Sequence, residues 1–148
     1  MSMTLYVVCI EEIGQPTFER ALAHKILGRG ALKPGHDLGY RVDYPDGSGG
    51  DISCGEGDSL EGIYFSHFGG EMFFDRVWEL ADRIGALIFW PAPGPSNALT
   101  RTELLDRLPS ELRDEEQRPI IVRSGKEICD AIEGSFPPID VPEEGDKE

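Results

Sequence analysis

Six carboxylates fall between Asp43 and Glu61 with no lysine or arginine among them: Asp43, Asp46, Asp51, Glu56, Asp58 and Glu61. Acidic side chains at this density suit three kinds of chemistry. The first is cation binding, because Asp46-Gly47-Ser48-Gly49-Gly50-Asp51 is rich in oxygen donors. The ligand order of an EF-hand is missing, however, and no glutamate closes a twelve-residue loop. The second is acid/base catalysis by two carboxylates facing one cleft, which spacing alone does not establish. The third is electrostatic docking of a basic protein, since a concentrated negative patch raises the encounter rate and selects against acidic competitors. Plain solvated turns are the bland account of the same residues. Trp78 falls at the edge of a helical apolar stripe; exposed beside acids, it would be an interface anchor.

Other reactive side chains are sparse. The histidines, His24, His36 and His67, show no HxxxH or HExxH spacing. The cysteines are three, Cys9, Cys54 and Cys129, an odd number with no pair at metal-ligand spacing. Cys9 and Cys129 read as small hydrophobes in a reduced compartment. Cys54, among glycines, is the one whose exposure would admit a reactive role, though no activating base is near it in sequence. Across a hairpin, Cys54, His67 and an acid would make a composite site. Gly28-Arg29-Gly30 closes a helix, whereas a phosphate-binding loop opens one. Ser53, Ser59 and Ser66 lack the G-x-S-x-G elbow. The expectation is therefore no catalytic residue, no metal and no cofactor. The alternative is a small enzyme or ligand-binding protein with its site near Cys54, His67 and the Pro91–Pro95 loop.

Composition narrows the partners. The 148 residues carry 28 acids against 14 Lys+Arg, a formal charge of −14. Nucleic-acid binding needs clustered cations to release counterions, so it is not expected. No run approaches eighteen apolar residues, which argues against a membrane helix. The amino terminus lacks the pattern of a signal peptide, and a cytoplasmic location follows as the expectation. At 39% hydrophobic, the chain can fill one core.

The elements that must position these residues follow from periodicity. Thr4–Glu11 reads as a strand closed by Gly14. A helix begins at Pro16, with Phe18, Ala21, Leu22, Lys25 and Ile26 at helical spacing, and ends at Gly28 and Gly30. Ala31–Leu38 reads as a loop. Tyr40, Val42 and Tyr44 alternate with Arg41 and Asp43 as a half-buried strand, Pro45-Asp46-Gly47 is a turn, and short strands follow at Asp51–Cys54 and Glu61–Phe68. Glu71 opens the strongest helix, whose stripe is Phe73, Phe74, Val77, Leu80, Ala81 and Ile84. Gly85 caps it. Ala86–Trp90 is a buried strand ended by Pro91. Thr100-Arg101-Thr102-Glu103 and Ser124-Gly125-Lys126-Glu127 both have capping-box spacing. The expected fold is α+β, a ferredoxin-like antiparallel sheet with two helices on one face and a C-terminal helical extension. One domain covers 1–136, with its core at 1–91 and the extension at 92–136. The acidic tail 137–148 is expected to be disordered.

The stretch from Gly69 to Trp90, GGEMFFDRVWELADRIGALIFW, resembles the helix–strand signature of small bacterial immunity-type proteins. These are encoded beside polymorphic or secreted toxins. The resemblance implies a cytosolic protein, monomer or homodimer, that occludes a toxin without catalysis. The surface expected to bind the basic partner is Asp43, Asp46, Asp51, Glu56, Asp58 and Glu61, with Trp78.

Overall fold

A computed structural model of the chain describes residues 4–28, 31–32, 39–54, 57–92, 96–109 and 118–135. Alternating apolar residues produce short strands: β1 (Leu5–Val8), β2 (Phe18–Glu19), β3 (Ala31–Leu32), β4 (Gly39–Asp43), β5 (Gly49–Ser53), β6 (Ser59–Leu60), β7 (Gly62–Gly69), β8 (Leu87–Phe89), β9 (Asn97–Leu99) and β10 (Ile120–Ile121). Eight of them form one sheet in the order β10-β9-β8-β1-β7-β5-β4-β3, while β2 and β6 pair apart from it. Every pair in the large sheet is antiparallel except β10 with β9. β1 is central, bonded to β7 with Tyr6 opposite Tyr64, and to β8 with Tyr6 opposite Phe89. This is an α+β fold.

Among the described residues three α-helices cover one face: α1 (Arg20–Leu27), α2 (Glu71–Ile84) and α3 (Gly125–Ser135). The α2 stripe read from the sequence, Phe73 to Ile84, is buried throughout. It packs on Leu5, Val7, Ile52, Ile63, Phe65 and Ile88, which all point to that face of the sheet. Each such side chain contributes roughly 2 kcal/mol of burial. Gly85 ends α2 at φ 67, the left-handed conformation that glycine adopts without a Cβ penalty. α3 lies close against α2: a Cβ on Gly125 would collide with the Asp75 backbone nitrogen. The opposite face carries a smaller cluster, Ile13, Leu87, Leu99, Leu104 and Leu108, beneath a 3-10 helix at Thr102–Arg107.

Several expectations change. Pro16 does not open the first helix, because Phe18 and Glu19 pair in extended form with Leu60 and Ser59, and α1 starts only at Arg20. Ala31–Leu32 is a strand beside β4; residues 33–38 lie outside the described segments. Thr100 does not cap the following helix. Its hydroxyl donates to Asp82 at 2.9 Å, and the turn that follows is 3-10 rather than α. Ser124 does cap α3, accepting from the Glu127 N–H at 3.3 Å while Glu127 reaches back to the Arg123 N–H at 2.8 Å. The segment after residue 92 supplies two strands of the main sheet, and α3 shares the main core as a third helix. The tail from 137 lies outside the described residues.

Candidate functional site

The acids read as one patch are divided by the sheet. β5 spans five residues, which at about 3.4 Å per residue sets its two ends about 14 Å apart. Asp43 and Asp46 belong to the β4–β5 turn at one end; Asp58 and Glu61 belong to the other. Glu56 lies outside the described residues.

At the turn, Asp46 is committed to structure. Its Oδ1 accepts the Ser48 N–H at 2.9 Å, and Oδ2 accepts the Met72 N–H at 3.1 Å. The buried Ser48 hydroxyl accepts the Phe73 N–H at 3.2 Å. Helix α2 begins at Gly70, which has no side chain to cap it, so its first free N–H groups are satisfied from the neighbouring turn. The donors, the Ser48 hydroxyl first, hold the Asp46 carboxyl below its usual pKa. Gly70 sits at φ 99, with Ser48 filling the space where a side chain would stand.

Among the described residues Asp51 is the charged residue that is buried, with a side chain only 9% exposed. Its position opposite Arg41 follows from register. Arg41 Nη1 donates to Oδ1 at 3.2 Å, and His67 Nδ1 lies 3.0 Å from Oδ2. Arg41 Nη1 also donates to the His67 carbonyl at 3.2 Å and Nε to Asp43 at 3.1 Å. The Asp51 bond, followed by Asp43, raises the guanidinium pKa further above its ordinary value. β7 carries an extra residue here, between the pairs Gly49–Gly69 and Asp51–Ser66, and His67 takes φ 47. Such bulges re-aim a side chain, and a left-handed non-glycine residue is a costly conformation held by its surroundings. Within the run of acids, Asp43 and Asp51 are thus paired with Arg41, two residues before it, and Asp51 offers no free surface to a partner.

The far end differs. Asp58 and Glu61 are exposed, and the β2–β6 pairing brings exposed Glu19 opposite Ser59. Among the described residues no ion pair reaches Glu19, Asp58 or Glu61. Arg20, next to Glu19, turns inward, donating to the Gly57 carbonyl at 2.8 Å and to the Cys54 sulfur at 3.0 Å. Glu19 was not among the candidates from sequence. Its neighbours there are forty residues away, and only pairing brings them together.

Trp78 is no surface anchor: it is half-buried against the main core, and its indole N–H donates to the Val122 carbonyl at 2.8 Å, tying α2 to the segment before α3. Cys54 is buried in the main core rather than exposed. His67 meets Asp51, whose neighbour Ile52 points to the core, so the Asp51 pair lies on the opposite face from Cys54. The two do not form the composite site. Burial, then Glu61, pushes the Cys9 thiol up to about 11, and burial with the Glu133 carboxylate raises Cys129. Neither is primed for attack at neutral pH. Among the described residues no group of three His, Cys, Asp or Glu side chains is placed to hold a metal ion, and no helix is long and apolar enough to cross a membrane.

Comparison of the chain with protein-family models, curated proteins and solved structures finds no match.

Proposed function

We propose that the chain is a non-catalytic acidic binding protein of the cytoplasm, an immunity-type protein that binds and neutralises a cognate basic toxin. The observation that carries this reading is the end of the molecule bearing Glu19, Asp58 and Glu61, where exposed carboxylates form no ion pair among the described residues. Such charge is free to act on a partner. It steers a basic protein into encounter and is held in place by backbone pairing on both sides. The central strands β8-β1-β7-β5, interleaved with α1 and α2, have the order of a ferredoxin-like βαββαβ unit, to which β3, β4, β9, β10 and α3 are additions. We read the fold in that way.

The direct experiment is co-expression with the product of the adjacent gene, scoring growth rescue and co-purification. Reversing Glu19, Asp58 and Glu61 together should slow association by roughly tenfold at low salt. A harmless neighbour that forms no complex defeats the reading.

A second reading has one observation in its favour. His67 is held at φ 47 with Nδ1 on a buried carboxylate, the way an imidazole is oriented for proton transfer or ligand contact. Saturable binding or turnover of a small molecule that is lost in His67→Gln would favour it over docking.

A further inference from the structure

A second polar cluster lies between α1 and the strands β4 and β5. Tyr40 stands opposite Ile52, a core residue, and Cys54 follows Ile52 by two, so both side chains enter the layer beneath the helix. From α1 come Arg20 and His24, one turn apart on the same side of the helix. Arg20 Nη1 donates to the Cys54 sulfur at 3.0 Å, and the His24 ring stacks on Tyr40 with centroids 5.1 Å apart. Cys54 is 2% exposed and Tyr40 5%. Among the described residues the buried Tyr40 hydroxyl has no hydrogen-bond partner. The charges of Cys54 and Arg20 both act on it, which puts it close to the sulfur. Burial, then Cys54, pushes it up to about 12, so it stays an O–H donor at neutral pH.

We propose that Cys54 is a peroxide-reactive cysteine, its sulfur attacking hydrogen peroxide that the Tyr40 hydroxyl orients while Arg20 stands on the sulfur. A guanidinium at hydrogen-bond distance is the kind of neighbour that promotes attack by sulfur. The other two cysteines face carboxylates instead, Glu61 for Cys9 and Glu133 for Cys129. A buried hydroxyl without a partner is costly, and a small molecule offering an oxygen relieves it. Hydrogen peroxide is little larger than water, which suits an enclosed sulfur; a bulky organic hydroperoxide does not. In the step, a sulfur–oxygen bond forms as the oxygen–oxygen bond breaks. Sulfur gives up two electrons and becomes the sulfenic acid, while the distal oxygen takes the thiol proton and leaves as water. Tyr40 donates its O–H to that departing oxygen, where negative charge develops. Two molecules of a small thiol restore Cys54, the first forming a mixed disulfide with loss of water and the second displacing the Cys54 sulfur. This reactivity is independent of the docking function proposed above.

The test treats the reduced full chain with hydrogen peroxide at pH 7 in the presence of dimedone, which traps sulfenic acid, and follows all three cysteines by peptide mass spectrometry. Cys54 should be trapped first, with Cys9 and Cys129 as internal controls, and tert-butyl hydroperoxide should react more slowly than hydrogen peroxide. Tyr40→Phe keeps the ring on His24 and removes the unpaired hydroxyl, so its Tm should be equal or higher while the Cys54 rate falls by about tenfold, the loss of one hydrogen bond in the transition state. A purely structural hydroxyl would move the Tm and leave the rate alone. Arg20→Gln, checked by circular dichroism for an intact fold, should also slow the reaction. Trapping of Cys9 or Cys129 ahead of Cys54 overturns the proposal, as does a Cys54 rate unchanged in Tyr40→Phe. So does a Cys54 rate that climbs with urea in step with the unfolded fraction, since the folded site then contributes nothing.

Discussion

Replacing His67 by alanine and by glycine separates two contributions that coincide in the native residue. Both substitutions remove the imidazole and its 3.0 Å contact with Asp51. Only glycine also removes the penalty of a Cβ at φ 47. That penalty is about 1 kcal/mol at the low end for an L-residue in the left-handed region. The lost contact is worth less, about 0.5 kcal/mol, because the His67 side chain is 65% exposed and its pair with Asp51 is screened by solvent. His67→Ala should therefore be destabilised by the contact alone. His67→Gly should exceed His67→Ala by about 1 kcal/mol, some 3 °C in Tm for a domain of this size. Paired urea and thermal unfolding of the two variants measure the difference directly. If alanine equals or surpasses glycine, the bulge does not hold residue 67 in a left-handed conformation, and the re-aimed imidazole loses its basis.

Three further outcomes follow from single contacts. Trp78→Phe removes the indole N–H and leaves a smaller ring, stranding the Val122 carbonyl, so urea unfolding should report a loss of at least about 1–2 kcal/mol. The Asp46 carboxyl is held below its ordinary value, so its folded-state pKa lies under the unfolded one. Its contribution is present above the unfolded value and disappears as pH falls through the folded value. The Tm advantage of the native protein over Asp46→Asn should be constant from pH 7 to 5 and close at lower pH. Cys9, with its thiol pushed from 9.0 up to about 11, should alkylate with iodoacetamide at pH 8 about a hundredfold more slowly than an unperturbed thiol, by thiolate fraction alone. Peptide-level mass spectrometry reads this rate, and rapid labelling would contradict the burial of Cys9.

Legibility in the sequence tracked the range of the interaction. Helix α2, its Gly85 end and strand β8 were readable because a 3.6-residue stripe, a left-handed glycine and a buried apolar run lie within one continuous segment. The Ser124 cap was readable for the same reason. Strands β9 and β10 were not: they are three and two residues long, without alternation, and are defined by partners rather than by pattern. The acidic run from Asp43 looked uncompensated because Arg41 stands outside it and reaches Asp51 only through the β4–β5 register. Asp46 and Ser48 looked like ordinary turn residues, since the helix they cap begins more than twenty residues later. Trp78 looked peripheral because the carbonyl it bonds lies 44 residues away. The Cys54 cluster is of the same kind: Arg20, Tyr40 and Cys54 share no local pattern and meet only where α1 packs on the sheet.

Complex formation through exposed carboxylates is tested most directly by the salt dependence of the complex with the adjacent-gene product. Screening shortens the reach of surface charge from roughly 30 Å at 0.01 M to about 8 Å at 0.15 M ionic strength. The association rate should fall by roughly tenfold or more across that range, and the fall should flatten when Glu19, Asp58 and Glu61 are reversed. An association rate indifferent both to salt and to those reversals would contradict acidic docking.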